Sequence, residues 1–165
     1  MNRVIISATL ILALLAFGCI HPPTLDQPFK RDRVLNFSYD EVWDTTIKTL
    51  ALSGDIIQHT DKESGVISFK KFVNPDSLKA IAFYDGSGVR NIITQASADM
   101  NFVLHRMSPN ETRMIVNSEI QAQGLNEFNM FSGWRSYTSN GVLEKNYLDK
   151  IEVELEKSKT PKWLK

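Results

Sequence analysis

The sequence has little cysteine and no net charge, and each of these features excludes a class of protein or partner. It has one cysteine in 165 residues, which excludes an internal disulfide. Nineteen basic and nineteen acidic side chains cancel, so the chain as a whole has no attraction for nucleic acid or for anionic lipid headgroups. Its 42% hydrophobic and 23% charged content is that of an ordinary globular protein. We therefore expect a folded domain with no nucleic-acid partner.

The motifs of catalytic and metal sites are also missing. The three histidines lack the spacing of metal ligands: His21, His59 and His105. No nucleophile elbow is present, and the glycines at residues 86–88 (GSG) predict a turn, because they lack the lysine and helix of a phosphate loop. Asp61 and Glu63 could be considered as paired carboxylates, but they fall at the tip of a predicted hairpin, where solvation does not shift the pKa of a carboxyl toward that of a catalytic acid. The sequence predicts no enzyme, no metal and no cofactor.

A long hydrophobic run occurs only at the amino terminus. Residues 4–17 (VIISATLILALLAF) carry no charge and follow Arg3, which is the pattern of a secretory signal. The run is shorter than the roughly 20 residues that a membrane-spanning helix needs. It ends at Gly18 and Cys19, the single cysteine of the chain, and two prolines follow. We expect a signal peptide over residues 1–18.

Residues 15–19 (LAFGC) resemble the lipobox of bacterial lipoproteins, with the small Gly18 directly before the cysteine. The resemblance implies cleavage before Cys19 and attachment of lipid, including palmitate, to that residue. Two or more acyl chains anchor a protein stably in a membrane. Ile20, rather than aspartate, follows the cysteine, which in enterobacterial sorting implies the outer membrane, facing the periplasm. Cleavage by the ordinary signal peptidase after the small residues Ala16 and Gly18 is the alternative.

The mature chain divides into a tether, one domain and a tail. Residues 19–33 are rich in proline and charge and lack an apolar period, which predicts a lipidated, extended tether. We place a single α+β domain at residues 34–157 and a polar tail at residues 158–165. Within the domain, residues 38–41 (SYDE) fit a capping box, and residues 53–54 (SG) supply a stop. The apolar face of this first helix is Val42, Trp43, Ile47, Leu50 and Ala51.

The remaining elements are predicted from hydrophobic periodicity. We predict two short strands around a turn, at residues 55–60 and 66–72. We also predict a short helix at residues 75–82, with a strand at 80–84 as the alternative. In residues 94–107 and 112–122 apolar side chains recur at even positions, which predicts a long antiparallel hairpin with one buried face. Residues 124–140 predict a loop. A final helix over residues 141–157 has an apolar stripe of Leu143, Tyr147, Leu148, Ile151 and Leu155.

These elements predict an α+β fold: an antiparallel meander sheet with an N-terminal and a C-terminal helix packed on one face. Residues 37–43 (FSYDEVW) and 61–67 (DKESGVI) resemble a recurrent lipoprotein module. That module includes the helix-grip domains found in a lipoprotein component of the outer-membrane β-barrel assembly machinery. The resemblance implies a helix-grip-like fold. It carries no function by itself, since a shared fold does not.

Residues 128–137 contain more large apolar side chains than a solvated loop requires. The candidate binding patch consists of Phe128, Phe131, Trp134, Arg135 and Tyr137. In one interpretation they fold back as a lid over the sheet, which we expect of Phe131. In the other they form an exposed patch, since large exposed apolar patches mark binding sites, and we expect Trp134 to be partly exposed.

Three functions are compatible with the sequence. The favoured one is a membrane-anchored envelope lipoprotein with a structural or assembly role, which binds another envelope protein. The alternative is a periplasmic carrier of a lipid or small apolar ligand in the groove between the sheet and the C-terminal helix. An enzyme is the third, and it is disfavoured because acid–base geometry is missing. A ligand-sized cavity would favour the carrier, whereas a filled core with exposed Phe131 and Trp134 would favour assembly.

Overall fold

The structure, a computed structural model, describes residues 30–83, 92–125, 128 and 130–159. The described strands are β1 (Asp32–Leu35), β2 (Ile56–Asp61), β3 (Val66–Val73), β4 (Ile92–Ser108), β5 (Glu111–Leu125) and β6 (Phe131–Tyr137). The described helices are α1 (Tyr39–Leu52), α2 (Leu78–Ile81) and α3 (Val142–Lys159), with a 3-10 turn at Pro75–Ser77. The predicted α+β class, with one antiparallel sheet and a helix near each end, is confirmed.

Several sequence predictions lie outside the described residues. These are the signal at residues 1–18, Cys19, most of the tether and the turn at residues 86–88. The described end of the tether needs a correction, because Asp32 and Arg33 belong to β1 and pair with β5. The described start of the tail needs another, because α3 continues to Lys159.

α1 begins and ends as its sequence predicts. The Ser38 hydroxyl accepts a hydrogen bond from the Glu41 amide, and the Glu41 carboxylate accepts one from the Ser38 amide at 3.0 Å. This is the predicted capping box. The helix ends at the C-cap Ser53, and Gly54 follows with φ +71°. Ala51 is exposed, contrary to prediction, because the buried stripe runs at helical spacing through Val42, Thr46, Thr49 and Leu50.

The sheet is built around the predicted long hairpin of β4 and β5. The strand order is β1–β5–β4–β3–β2, and β6 also pairs with β5. β1 pairs with the first half of β5 and β6 with its second half, so two short strands share one edge of β5. β2 and β3 form the predicted short hairpin.

One face of the sheet carries the core, and α1 and α3 cover it. The strand residues that point to this face are buried: Ile67, Phe69, Ala96, Ala98, Met100, Phe102, Leu104, Met114, Val116, Ile120 and Ala122. The predicted α3 stripe packs against them, and the Tyr147 ring lies 5.2 Å from that of Phe69. Arg33 of β1 binds Asp149 at 2.8 Å and Glu152 at 2.6 Å, which ties α3 to the sheet edge.

Residues 75–81 form the predicted short helical segment rather than the alternative strand. Asn74, which the sequence interpretation did not consider, caps the 3-10 turn by accepting from the Asp76 amide at 3.0 Å. Of the described residues 80–83, only Ala82 has strand character, in an isolated bridge with Ser139.

Candidate functional site

The aromatic segment is a strand, not the predicted loop. β6 pairs with β5 from Ile120↔Tyr137 to Leu125↔Phe131. Gly133 and Trp134 together stand opposite Gln123, which makes a bulge that interrupts the alternation of side chains. The bulge and the small residues Ser132 and Gly133 interrupt the alternation of apolar and polar side chains that marks a strand. The sequence alone therefore does not reveal β6.

The predicted lid is wrong for Phe131, whose side chain is 75% exposed. The helix-covered face of the sheet is already filled by α1 and α3, which leaves no apolar surface there for Phe131 to cover. Trp134 is 50% exposed, as expected, and Phe128 and Arg135 are exposed too. Tyr137 differs from the other four, because it is half-buried and packs against the core.

The exposed Phe131 and Trp134 side chains meet other apolar residues on the helix-free face of the sheet. Pairing places Ile92 opposite Leu125, and Leu125 opposite Phe131, so these three form one row at the end of the sheet. We define the apolar patch as Ile92, Phe131 and Trp134, all of them exposed. Phe128 is exposed in the turn before β6 and is in no strand pairing. Ile92 could not be singled out from the sequence, because residues 73–93 show no clear hydrophobic periodicity.

A groove of about 520 Å³ adjoins the apolar patch on the same face. Its walls are Phe72 of β3 and Trp134 of β6, and its floor includes Ser97 of β4 and Gln121 of β5. Phe72 lies opposite Ser97, and Ser97 lies opposite Gln121, so the floor is a single row across the sheet. Phe72 could have been found from the sequence, since it stands at the outward position of a strand whose Ile67 and Phe69 point inward.

The groove is almost uncharged. Of the described residues that line it, only Lys70 is ionic, and its Nζ lies 3.3 Å from an Asp99 carboxylate oxygen. Arg135 of β6 pairs with Ala122, which is buried on the helix-covered face, so Arg135 lies on the other side of the sheet from the groove. The groove therefore presents aromatic walls, amides and hydroxyls, and its one charged lining residue is paired.

Two buried carboxylates, which the sequence did not reveal, hold the helices to the sheet. Asp55 accepts from the Tyr147 hydroxyl at 2.7 Å and lies 3.3 Å from the Lys71 ammonium. Burial, reinforced by the Asp55 carboxylate, raises the pKa of Tyr147, so its hydroxyl stays a donor. Glu144 is fully buried and accepts from two serine hydroxyls, those of Ser118 and Ser139. Each carboxylate has donors, so we assign both a structural role.

The other titratable residues considered in the sequence do not form a site. His59 and His105 are exposed, and the described residues contain no group of three His, Cys, Asp or Glu side chains that could hold a metal ion. Asp61 accepts from the amides of Glu63 and Ser64 at 3.0 and 3.2 Å. Hydrogen bonds from Ser64 lower the pKa of the Asp61 carboxyl, which fits the predicted turn and not an acid catalyst.

No protein-family model matches the chain, and no curated protein is significantly similar to it. Within the described residues, no helix is long and apolar enough to cross a membrane. The lipobox and the helix-grip resemblance therefore stay predictions from the sequence.

Proposed function

We propose that this protein is a lipid-anchored envelope lipoprotein with a structural or assembly role, which binds another envelope protein through the apolar patch. The observation that carries the proposal is the exposure of the patch: three large apolar side chains, those of Ile92, Phe131 and Trp134, lie at one end of the helix-free sheet face. Contiguous exposed apolar surface of this kind marks interaction sites in folded proteins. Tryptophan, the residue type of Trp134, is among those that dominate the binding energy of protein interfaces.

The filled core favours this role over the carrier. A carrier needs room between the sheet and α3, but Leu148, Ile151 and Leu155 are buried there against the strands. The rings of Phe69 and Phe102 stack 5.3 Å apart beneath Tyr147. Side chains of the protein itself occupy the space where an apolar ligand would have to lie.

The proposed anchor keeps the domain close to the membrane. If lipid is attached to Cys19, the chain between it and Asp32 spans at most about 45 Å when fully extended. A partner would then be an envelope protein that presents an apolar surface within that distance of the bilayer. Confinement of both proteins to one membrane surface raises the effective concentration of the pair.

The test is chemical crosslinking in intact envelopes of cells that express the full chain. Phe131→Ala should remove the crosslinked partner while the free energy of unfolding changes by no more than about 0.5 kcal/mol, as for surface sites. Leu52→Ala is the matched control, because Leu52 is just as exposed but lies at the end of α1. Crosslinks that persist unchanged in both Phe131→Ala and Trp134→Ala would contradict the proposal.

A further inference from the structure

Ser97 is an unusual residue on the open face of the sheet. It points to the side that no helix covers, yet it is only 3% exposed, because it lies at the bottom of the groove. No hydrogen bond joins its hydroxyl to another described residue, and the hydroxyl is not fully enclosed, since Thr49 holds the one enclosed side-chain polar atom without a partner in the described part of the chain. The Ser97 hydroxyl therefore opens onto the groove and is available to a ligand there.

Two aromatic side chains stand on either side of Ser97. Phe72 and Trp134 are three strands apart, or about 14 Å at the usual strand spacing. They are 72% and 50% exposed, and both line the groove. The indole N–H of Trp134 also has no partner within the described part, although tryptophan usually finds one when it packs.

The floor between the two rings both donates and accepts hydrogen bonds. The Gln121 amide group donates to Glu119 at 3.0 Å, which leaves its carbonyl oxygen to accept. The Gln95 carbonyl accepts from Gln123 at 2.6 Å, which leaves its NH₂ group to donate. The Ser97 hydroxyl can do either. Because Lys70 is paired with Asp99, the groove has no free charge with which to attract an ionic ligand.

From this combination we infer that the groove binds pyranose rings of a neutral oligosaccharide. A pyranose ring has apolar C–H faces that stack on aromatic rings, and its rim of hydroxyls both donates and accepts. A proline-rich peptide also binds aromatic grooves, but proline has no backbone N–H. Such a peptide presents mainly carbonyl acceptors, so the Gln121 carbonyl oxygen would have no donor. The groove volume lies in the range of ligand sites. This activity goes beyond the proposed function, since Phe72, Ser97 and Gln121 lie outside the apolar patch.

The experiment is calorimetric titration of the full chain with three probes: a trimer of N-acetylglucosamine, a trimer of glucose and a proline decamer. We expect at least one sugar trimer to bind. Phe72→Ala should abolish detectable binding, and Ser97→Ala should weaken it roughly fivefold, the effect of one lost hydrogen bond. Leu52→Ala, on α1, should bind like the unaltered protein. Unfolding midpoints of all variants show that the fold is retained.

The inference is overturned if neither sugar binds up to its solubility limit, or if binding survives Phe72→Ala. Binding of the proline decamer in place of the sugars overturns it as well and assigns the groove to a peptide. Failure of the two proposals can be distinguished. Phe131→Ala should remove protein crosslinks and keep sugar binding, whereas Phe72→Ala should remove sugar binding and keep the crosslinks.

Discussion

At the scale of single residues, Gly65 shows a backbone conformation that only glycine suits. It closes the β2–β3 hairpin with φ +77°, and a Cβ atom there would lie closer than 3.0 Å to the Leu104 carbonyl oxygen. That carbonyl belongs to β4, so the chain cannot relax without disturbing the next strand. The Gly65 carbonyl also accepts from the Leu104 amide at 2.9 Å.

Gly65→Ala should lower the free energy of unfolding by about 2–4 kcal/mol. This is the cost of a left-handed backbone conformation for alanine plus the cost of the steric overlap with Leu104. Gly54→Ala is the control, because Gly54 has φ +71° but no heavy atom within 4 Å of the added Cβ. Gly54→Ala should lower the free energy of unfolding only by the cost of the left-handed conformation, about 1 kcal/mol. Urea denaturation of both variants measures the difference. Equal losses would show that the contact with Leu104 is not tight.

The capping box of α1 predicts a pH dependence. Hydrogen bonds from Ser38 hold the pKa of Glu41 below its usual value of 4.5. Because the pKa of Glu41 is lowered in the folded protein, the stabilisation is fully present when the pH is above the ordinary pKa. It is lost as the pH falls through the lowered pKa. Because Glu41 is exposed, solvent screening keeps the effect small, of the order of 0.5 kcal/mol.

Glu41→Gln tests this pH dependence, because glutamine keeps the capping geometry and does not titrate. The unaltered protein should be slightly more stable than Glu41→Gln at pH 7, and the difference should vanish as the pH falls below 4.5. Thermal unfolding as a function of pH measures it. A difference that is constant across this range would mean that the charge of Glu41 has no part in the cap.

At the scale of secondary-structure elements, α3 is the helix that closes the core. Ile151 is fully buried at its centre, so Ile151→Ala should cost about 2–5 kcal/mol. Val153, two residues on, is half-exposed, and Val153→Ala should change stability by no more than about 0.5 kcal/mol. Glu152 is a poor control, because it pairs with Arg33. Chemical denaturation compares the two variants. Similar small effects would show that α3 does not dock on the sheet.

At the scale of the whole molecule, the lipobox prediction makes Cys19 the residue that holds the domain at a membrane. If the lipobox prediction is right, Cys19→Ser removes the acylated thiol, and with it the burial of acyl chains in the bilayer. The full chain should then move from the membrane fraction to the soluble fraction and lose palmitate labelling. An alanine in place of Ser7, within the apolar run, is the control and should leave both properties unchanged. Labelling that persists in Cys19→Ser would exclude lipidation at this residue.

The sequence by itself determined the features that depend on neighbours along the chain. The capping box at Ser38 and Glu41, the alternation over β4 and β5 and the stripe around Ile151 are all visible as local patterns. Each pattern shows which side of an element is apolar, and burying those sides together produces the α+β arrangement. This is why the long elements and the fold class could be predicted.

Tertiary structure alone decided the features that depend on distant pairing. β1 and β6 are strands because one long edge of β5 supplies partners to both, and neither has a clear period of its own. Glu144 can be buried only because Ser118, on a different element, meets it. The groove joins Phe72 to Trp134, 62 positions apart in the chain. Such contacts are set by register and by the bulge at Gly133, which local patterns do not encode.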